Sequence, residues 1–257
     1  MKFAFVSVPV VPVYRKAGHK TEMVNQLLFG EAVQVLKEKD KQWAKVESLH
    51  DGYKGWIVRS QLEEASEEAV RQAATHITTR HITTATLDEQ TINLPAGCFL
   101  PSFENGSGTL GSRKYSISTE VMQRGSFSAD PQSLLSRAKE WLNAPYLWGG
   151  RTILGVDCSG FVQVNFRLSG KDLPRDAWQQ AGTGTTIKRL RDAQPGDLAF
   201  FDDREEVVHV GILMSSNQII HSSGRVRIDE IDKKGIINSD TGRRTHILGV
   251  IKRVIGN

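Results

Sequence analysis

Cysteine is scarce in this 257-residue sequence, which contains only Cys98 and Cys158, and neither belongs to a CxxC pair. The low count excludes a disulfide scaffold, and without zinc-type spacing we expect neither a metal site nor a cofactor. No apolar run reaches the roughly 18 residues of a membrane-spanning helix, so no membrane partner is expected. Basic residues (33) barely outnumber acidic ones (29), and no run of about five basic residues occurs, so nucleic acid is not an expected partner.

The N-terminal stretch 1–16 is apolar, but Pro9 and Pro12 interrupt it and its basic region consists of Lys2. Residues 3–8 alternate with period two, which predicts a β-strand. A signal peptide is the alternative interpretation, because export signals also place an apolar run after a short basic region. We therefore expect a cytoplasmic protein, with export to the periplasm or cell wall as the alternative.

The first half of the chain predicts two small all-β domains. Strand-like segments separated by polar turns occur at 33–36, 43–46 and 55–58. This spacing of short strands is typical of a small barrel or sandwich. Residues 62–75 are rich in Glu and Ala and predict a helical turn or a linker, and β character returns at 76–122. We place the two domains at 1–62 and 63–125.

The second half of the chain begins with helical signals. Asp130 can cap a helix whose first turn suits Pro131, and a second helix is predicted from about Ser159 to Leu168. Strands are then predicted at 197–201, 207–214, 218–221, 226–231 and 248–254. Helices followed by strands with short connections predict an α+β domain at 126–257.

Cys158 carries the strongest chemical signal in the sequence. It lies at the predicted N-terminus of the second helix, where the partial positive charge of the helix favours thiolate over thiol. Gly149, Gly150 and Gly155 precede it and allow close approach of the backbone, as the turn of a nucleophile requires. A small core residue is the alternative interpretation, and it is the one we favour for Cys98 with its apolar neighbours.

Two histidines lie on consecutive predicted strands, His209 in VVHVGILM and His221 in QIIHSSG. If the hairpin is centred on Ser215, they lie directly opposite each other, and a shift of one residue makes them diagonal neighbours. In either case His209 could take the proton of Cys158 while His221 orients the ring of His209. For each histidine, a hydrogen-bonded core residue is the alternative interpretation.

The segments GVDCSGFV, QPGDLAFF, HVGI and IIHSSG together resemble the NlpC family of bacterial cell-wall cysteine peptidases. The resemblance covers about residues 130–257 and implies a papain-like α+β fold. It also implies that Cys158, His209 and His221 are catalytic and that Tyr146 helps to build the oxyanion site. A phenol can donate to the charge that develops on an attacked carbonyl oxygen, although a packed ring is the alternative for Tyr146.

The N-terminal half is similar to bacterial SH3-like modules in LLFGEAVQVL, WAKV and DGYKGWI. Two such barrels before an NlpC domain resemble the γ-D-glutamyl-L-diamino acid endopeptidases. This resemblance implies hydrolysis of the bond from γ-D-Glu to meso-diaminopimelate or L-Lys in murein tripeptides or tetrapeptides. It further implies that the peptide has a free N-terminal L-Ala, that the role is cell-wall peptide recycling, and that no obligate protein partner is needed.

The resemblance implies substrate contacts at Asp157, Ser159, Asp176, Glu31 and Tyr53. Trp148 lies ten residues before Cys158 and is expected to line the same pocket. Carboxylates suit the substrate amine, because a buried ammonium without a partner is costly. An exposed turn residue is the alternative for Glu31, and a helix cap or a partner of Arg175 is the alternative for Asp176.

Two other functions are compatible with this domain order. In one, the β modules bind the cell wall and the C-terminal domain is an inert part of an adaptor. The intact set of Cys158, His209 and His221 argues against that alternative. In the other, the same fold forms a thioester and transfers the acyl group, but the sequence shows no apolar acyl groove.

Overall fold

The structure, a computed structural model, describes residues 1–72, 74–124, 126, 130–203 and 206–255. The chain divides into two compact units, Met1–Ser126 and Phe127–Asn257. Gly125, at the predicted boundary 125/126, lies outside the described residues. In the described ranges, no helix has the length and apolar character needed to cross a bilayer.

The first unit opens with an antiparallel sheet. Its strands are β1 (Phe3–Val6), β2 (Val10–Tyr14), β3 (Met23–Leu28), β4 (Ala32–Lys39), β5 (Trp43–Ser48), β6 (Lys54–Val58) and β7 (Leu62–Ala65). They pair in the order β3-β2-β6-β5-β4-β1-β7, and a 3-10 turn at Arg59–Gln61 leads into β7. The predicted boundary 62/63 falls inside β7, whose pairing with β1 extends the first sheet to Ala65.

The rest of the first unit is a short helix followed by shorter strands. Helix α1 (Glu67–Arg71) is capped by the Ser66 hydroxyl, which accepts a hydrogen bond from the amide of Ala69. The strands are β8 (His76–Ile77), β9 (Thr83–Leu87), β10 (Gln90–Leu94), β11 (Phe99–Leu100), β12 (Ser107–Leu110), β13 (Arg113–Ser116) and β14 (Met122–Gln123). They form two antiparallel sheets, in the orders β10-β9-β13-β12 and β11-β8-β14.

Strand β1 is buried on both faces because it separates two hydrophobic cores. Ala4 and Val6 pack with the core of the first sheet, whereas Phe3 and Phe5 pack with the core of the later strands. Since the side chains of a strand point alternately to opposite faces, one strand can contribute to both cores. Cys98 lies fully buried in the second of these cores, which confirms its interpretation as a core residue.

The second unit begins with helices. They are α2 (Pro131–Lys139), α3 (Cys158–Arg167) and α4 (Ala177–Gln180). Asp130 caps α2 as predicted, since its carboxylate accepts a hydrogen bond from the amide of Ser133 at 2.9 Å. Helix α3 starts at Cys158, one residue before the predicted start, and a short hairpin of β15 (Arg151–Thr152) and β16 (Gly155–Val156) precedes it.

An antiparallel sheet completes the second unit. A 3-10 turn at Leu190–Asp192 lies between its first two strands. The strands are β17 (Thr185–Ile187), β18 (Leu198–Asp203), β19 (Glu206–Leu213), β20 (Gln218–Ser223), β21 (Arg225–Asp232), β22 (Gly235–Ile237) and β23 (Arg244–Arg253). Their order is β17-β23-β18-β19-β20-β21-β22, and β22 also pairs with β23, which closes the sheet. Helix α3 packs against β19 and β20, so its first residue faces the strands that carry the two predicted catalytic histidines.

Candidate active site

Cys158 is the first residue of α3, a helix whose ten residues are all buried. The carboxylate of Asp157 caps this helix by accepting a hydrogen bond from the amide of Gly160 at 2.7 Å. A side chain at position 160 would collide with the carbonyl oxygen of Gly150, so the turn before the helix can lie this close only against glycine. The glycines around the cysteine therefore fix where the thiol lies.

The thiol of Cys158 is buried beside β19, where it is only 5% exposed. Burial, together with the negative charge of Asp157, raises the pKa of this thiol to about 12. The amides of Val210 and Ser159 and the charge of Arg175 lower the thiol pKa, but they do not offset burial. The amide of Ser159, at the start of α3, thus lowers the thiol pKa in the direction expected of a helix N-terminus, but desolvation has the larger effect.

Arg175 fastens the start of α3 from inside the protein. Its guanidinium donates to Asp157 Oδ2 at 2.6 Å and to Ser159 Oγ at 2.8 Å, and the side chain is 1% exposed. The amide of Gly149 donates to the same Asp157 oxygen at 2.8 Å. Asp157 and Ser159, which we predict to contact substrate, thus also hold the nucleophile's backbone in place.

His209 and His221 meet across the hairpin of β19 and β20. His221 pairs with Gly211, so His209 is its diagonal neighbour, and the directly opposite arrangement is wrong because the hairpin is centred one residue later than Ser215. Nε2 of His209 lies 2.8 Å from Nδ1 of His221. A Cβ on Gly211 would lie 2.8 Å from the Cβ of His221, so a glycine at position 211 leaves room for the side chain of His221.

A buried carboxylate lies behind the second histidine. Nε2 of His221 is 3.1 Å from Oδ2 of Asp229, whose side chain is fully buried. The other oxygen, Oδ1, accepts from Arg227 Nε at 3.1 Å and from the amide and hydroxyl of Ser239 at 3.0 and 2.8 Å. Burial raises the pKa of Asp229, but these hydrogen bonds lower it more, so the carboxylate is ionised.

A third histidine completes the cluster. The ring of His246, on β23, stacks on that of His209 with the ring centres 4.2 Å apart. Burial lowers the pKa of His209 well below its usual value, and the charges that His221 and His246 would carry lower it further. Burial also lowers the pKa of His221, although the Asp229 carboxylate acts in the opposite direction. Burial lowers the pKa of His246 to about 4. In the described part of the chain, no group of three or more His, Cys, Asp or Glu side chains is arranged to hold a metal ion.

Tyr146 lies near the thiol and keeps its proton. Burial raises the pKa of the phenol, and the charge that Cys158 would carry and the charge of Asp157 raise it further, so the group remains a hydrogen-bond donor at neutral pH. Tyr146 is 37% exposed and Trp148 is 54% exposed, so both rings are accessible to a ligand. Their contacts with substrate remain predictions.

The other predicted binding residues occupy defined local positions. Asp176 is the N-cap of α4, and its amide donates to the side chain of Gln179 at 3.0 Å. Glu31 is fully buried and accepts the amide of Leu28 at 3.0 Å, so its interpretation as an exposed turn residue is wrong. The hydroxyl of Tyr53 donates to the carbonyl of Val24 at 3.3 Å. For Asp176, Glu31 and Tyr53, contact with the substrate amine remains a prediction.

Three residues of this site were not predicted from the sequence: Arg175, Asp229 and His246. For Asp229 a signal was present, because His221 pairs with Arg227 across the next hairpin. Asp229 is thus a diagonal neighbour of His221, as His209 is on the other side. The hairpin argument that joined the two histidines would have found the carboxylate as well.

Comparison with known proteins identifies the family of this chain. Residues 143–245 match the NlpC/P60 family, and residues 13–62 match the bacterial dipeptidyl-peptidase Sh3 domain. Over 215 residues the chain is 32% identical to the gamma-D-glutamyl-L-lysine dipeptidyl-peptidase of Bacillus subtilis strain 168. This alignment spans 77% of the present chain and 71% of that protein. The chain belongs to the NlpC/P60 family. The predicted resemblance to this family is confirmed.

Other NlpC/P60 proteins match over different lengths. The chain is 44% identical over 93 residues to the probable endopeptidase NlpC of Escherichia coli K12, which covers 35% of this chain and 60% of that protein. An NlpC/P60 structure from Bacillus cereus ATCC 10987 covers 99% of this chain and 100% of its own, with a TM-score of 0.82 at 19% identity. That likeness shows a shared fold. As a member of the NlpC/P60 family, the protein is a cysteine peptidase, so its interpretation as an inert adaptor is excluded.

The lowered pKa of His209 leads to a prediction about pH. His209 must be unprotonated to accept the thiol proton, so activity should persist below pH 6.5 and disappear only as the pH falls through the lowered pKa. In His246→Phe the stacked ring stays but its charge is lost, so the acid limb of kcat/KM should move to higher pH. His76→Phe, in the first unit, is the control and should leave the limb in place. A wild-type acid limb above pH 6.5 would contradict this assignment.

Proposed function

We propose that this peptidase hydrolyses the γ-D-glutamyl bond to L-Lys or meso-diaminopimelate in short murein peptides that carry a free N-terminal L-Ala. The proposal rests on the position of the Cys158 thiol, which interacts with the backbone amide of Val210, the residue after His209. His209 in turn is hydrogen-bonded to His221. The specificity is suggested by the Bacillus subtilis relative, whose similarity extends beyond the catalytic unit. A cytoplasmic role in wall-peptide recycling is part of the proposal.

We further propose a fold for each part of the chain. The sheet of residues 3–65 and the strands of 76–123 are two SH3-like barrels, and the second unit is a papain-like domain. The first assignment is supported by the match of residues 13–62 to the bacterial dipeptidyl-peptidase Sh3 domain. The papain-like assignment is supported by a cysteine that opens a buried helix packed on an antiparallel sheet.

The resting thiol and imidazole are both neutral, so proton transfer accompanies the attack. The sulfur of Cys158 attacks the γ-carbonyl carbon while its proton passes to Nδ1 of His209, the ring nitrogen that His221 leaves available. The phenol of Tyr146 donates to the oxyanion. As the tetrahedral adduct collapses, His209 returns the proton to the leaving amine and a thioester remains. Water then adds to the thioester, His209 takes its proton, and the thiol is released with the acid.

Recognition of the free N-terminus requires negative charge near the substrate amine. In this proposal Glu31 and Asp176 supply carboxylates, and Tyr53 supplies a hydroxyl. An ammonium held in a partly closed pocket loses much of its hydration, so carboxylates must compensate for it. An enzyme of this kind trims short peptides from their N-terminus, because a peptide whose N-terminal amine is linked to a sugar or forms an amide lacks the positive charge of a free amine.

The test compares L-Ala-γ-D-Glu-L-Lys and its meso-diaminopimelate analogue with the same peptides acetylated at L-Ala. We expect hydrolysis of the free peptides to L-Ala-γ-D-Glu, and a loss of kcat/KM of about 30-fold or more on acetylation, since a close charge pair is worth at least about 2 kcal/mol. Product formation followed by mass spectrometry is the measurement. Equal rates for free and blocked peptides would remove Glu31, Tyr53 and Asp176 from the site.

A second arm distinguishes hydrolysis from acyl transfer. The reaction is run with an excess of a free amine such as glycinamide, which would intercept the thioester in an acyltransferase. We expect the free dipeptide acid as the main product at all amine concentrations. A product ratio that shifts to the amide in proportion to the added amine would favour the acyltransferase.

A further inference from the structure

The histidine pair leaves open which ring nitrogens carry protons, and a neutral imidazole has one donor and one acceptor nitrogen. With 2.8 Å between Nε2 of His209 and Nδ1 of His221, either ring can be the donor. If His209 donates, its Nδ1 is bare and can accept a proton from Cys158. If His221 donates, Nδ1 of His209 carries a hydrogen and cannot act as the base. The heavy atoms are in the same places in both cases, so another group must select between them.

Asp229 is the group that contacts the far side of the pair. An ionised carboxylate only accepts hydrogen bonds, so at 3.1 Å from Oδ2 the Nε2 of His221 must carry the hydrogen. Nδ1 of the neutral His221 ring is then bare and accepts from Nε2 of His209. It follows that Nδ1 of His209 is bare. The buried carboxylate of Asp229 thus determines, through His221, that Nδ1 of His209 carries no hydrogen.

The surroundings of Asp229 reserve one of its oxygens for this task. Arg227 and Ser239 bind Oδ1, which leaves Oδ2 to His221. Arg227 is held in turn by Asp240, whose Oδ2 accepts from Nη1 at 2.8 Å. His246 on β23 is a further titratable group against the pair, and its ring centre lies 6.0 Å from that of His221.

We propose that Asp229 is a positioning residue that fixes the tautomers of both histidines and thereby makes Nδ1 of His209 the proton acceptor for Cys158. The inference rests on the proton transfer in the proposed function, but it does not depend on which peptide is the substrate. The residue touches neither the thiol nor the substrate, and it acts only through His221.

Asp229→Asn tests this role because the amide keeps the shape of the side chain and can present an NH₂ group to His221. The opposite tautomers then form, so kcat should fall by a factor on the order of 10²–10⁴ while KM changes little. Asp232→Asn is the matched control, since Asp232 lies on the same strand, binds Arg244 and contacts neither histidine. We expect the control to keep kcat within about threefold. An Asp229→Asn enzyme with wild-type kcat, or one altered only in KM, would overturn the proposal.

Alkylation of Cys158 by iodoacetamide separates this inference from the substrate assignment. In the wild type, His209 assists loss of the thiol proton, so the reaction should proceed at pH 7–8. In Asp229→Asn it should slow at least about tenfold there and recover only at high pH, where the thiol ionises unaided. Wild-type protein that leaves the tripeptides intact but shows this difference would refute the proposed substrate and support the role of Asp229. Equal alkylation profiles would refute the role itself.

The wild-type protein offers a measurement that does not require a variant to fold. Nitrogen-15 NMR of labelled histidine distinguishes a protonated ring nitrogen from a bare one. We expect His209 and His221 both to carry their hydrogen on Nε2 at neutral pH. A hydrogen on Nδ1 of either ring would refute the proposal.

Discussion

Replacing Cys158 with alanine is expected to reduce hydrolysis of L-Ala-γ-D-Glu-L-Lys by a factor on the order of 10⁴ or more. The thioester cannot form without the sulfur, and His209 has no proton to take from an alanine side chain. The folded structure should survive, because the Asp157 cap and the Arg175 hydrogen bonds do not involve the thiol. Steady-state turnover and circular dichroism of the same preparation are the measurements.

Cys98 provides the matched control for that experiment. It is buried in the first unit, and Cys98→Ala deletes the same sulfur from a hydrophobic core. We expect this variant to keep kcat and to lose about 1–2 kcal/mol of stability. Wild-type turnover in Cys158→Ala would end the assignment of the nucleophile, and a large loss of kcat in Cys98→Ala would show that the assay reports stability instead.

Replacing Arg175 with methionine is expected to lower the free energy of unfolding of the catalytic unit by about 3–5 kcal/mol. The substitution leaves the carboxylate of Asp157, whose side chain is 6% exposed, without its buried cation. Urea denaturation followed by circular dichroism measures the loss. Restoring neutrality with Asp157→Asn in the same chain should recover part of it, since the buried charge is then absent.

A surface pair serves as the comparison for Arg175. Arg189 and Asp192 lie 2.7 Å apart, but their side chains are 61% and 44% exposed. Arg189→Met should therefore change stability by less than about 1 kcal/mol. Losses of similar size in Arg175→Met and Arg189→Met would contradict the claim that burial makes the Asp157 pair important.

Local sequence signals were sufficient to predict the nucleophile's setting. The glycines before Cys158 and the apolar run after it placed the start of α3 within one residue of its observed position. The hairpin between His209 and His221 was predicted as well, although its centre was uncertain by one residue. In each case the relevant contacts connect residues close together in sequence, and chain geometry limits the possibilities.

The contacts of His246 and Arg175 were not predicted, because nothing local in the sequence indicates them. His246 reaches His209 only because β23 pairs with both β18 and β22, a closure that depends on the whole sheet. Arg175 lies in a loop without periodicity, and its partner Asp157 is 18 positions earlier in the chain. Burial of Cys158 was not predicted either, and it raises the thiol pKa against the effect of the helix N-terminus.

The strand that borders two cores has a consequence for how this protein can be divided. Phe3 and Phe5 belong to the core that contains Cys98, although they precede that region by many residues in the chain. A fragment that begins after Ala65 would lose those two aromatic side chains and expose the apolar surface they cover. Gene truncation or recombination at that point should yield an aggregating product, so the two β regions are expected to be inherited and to unfold together.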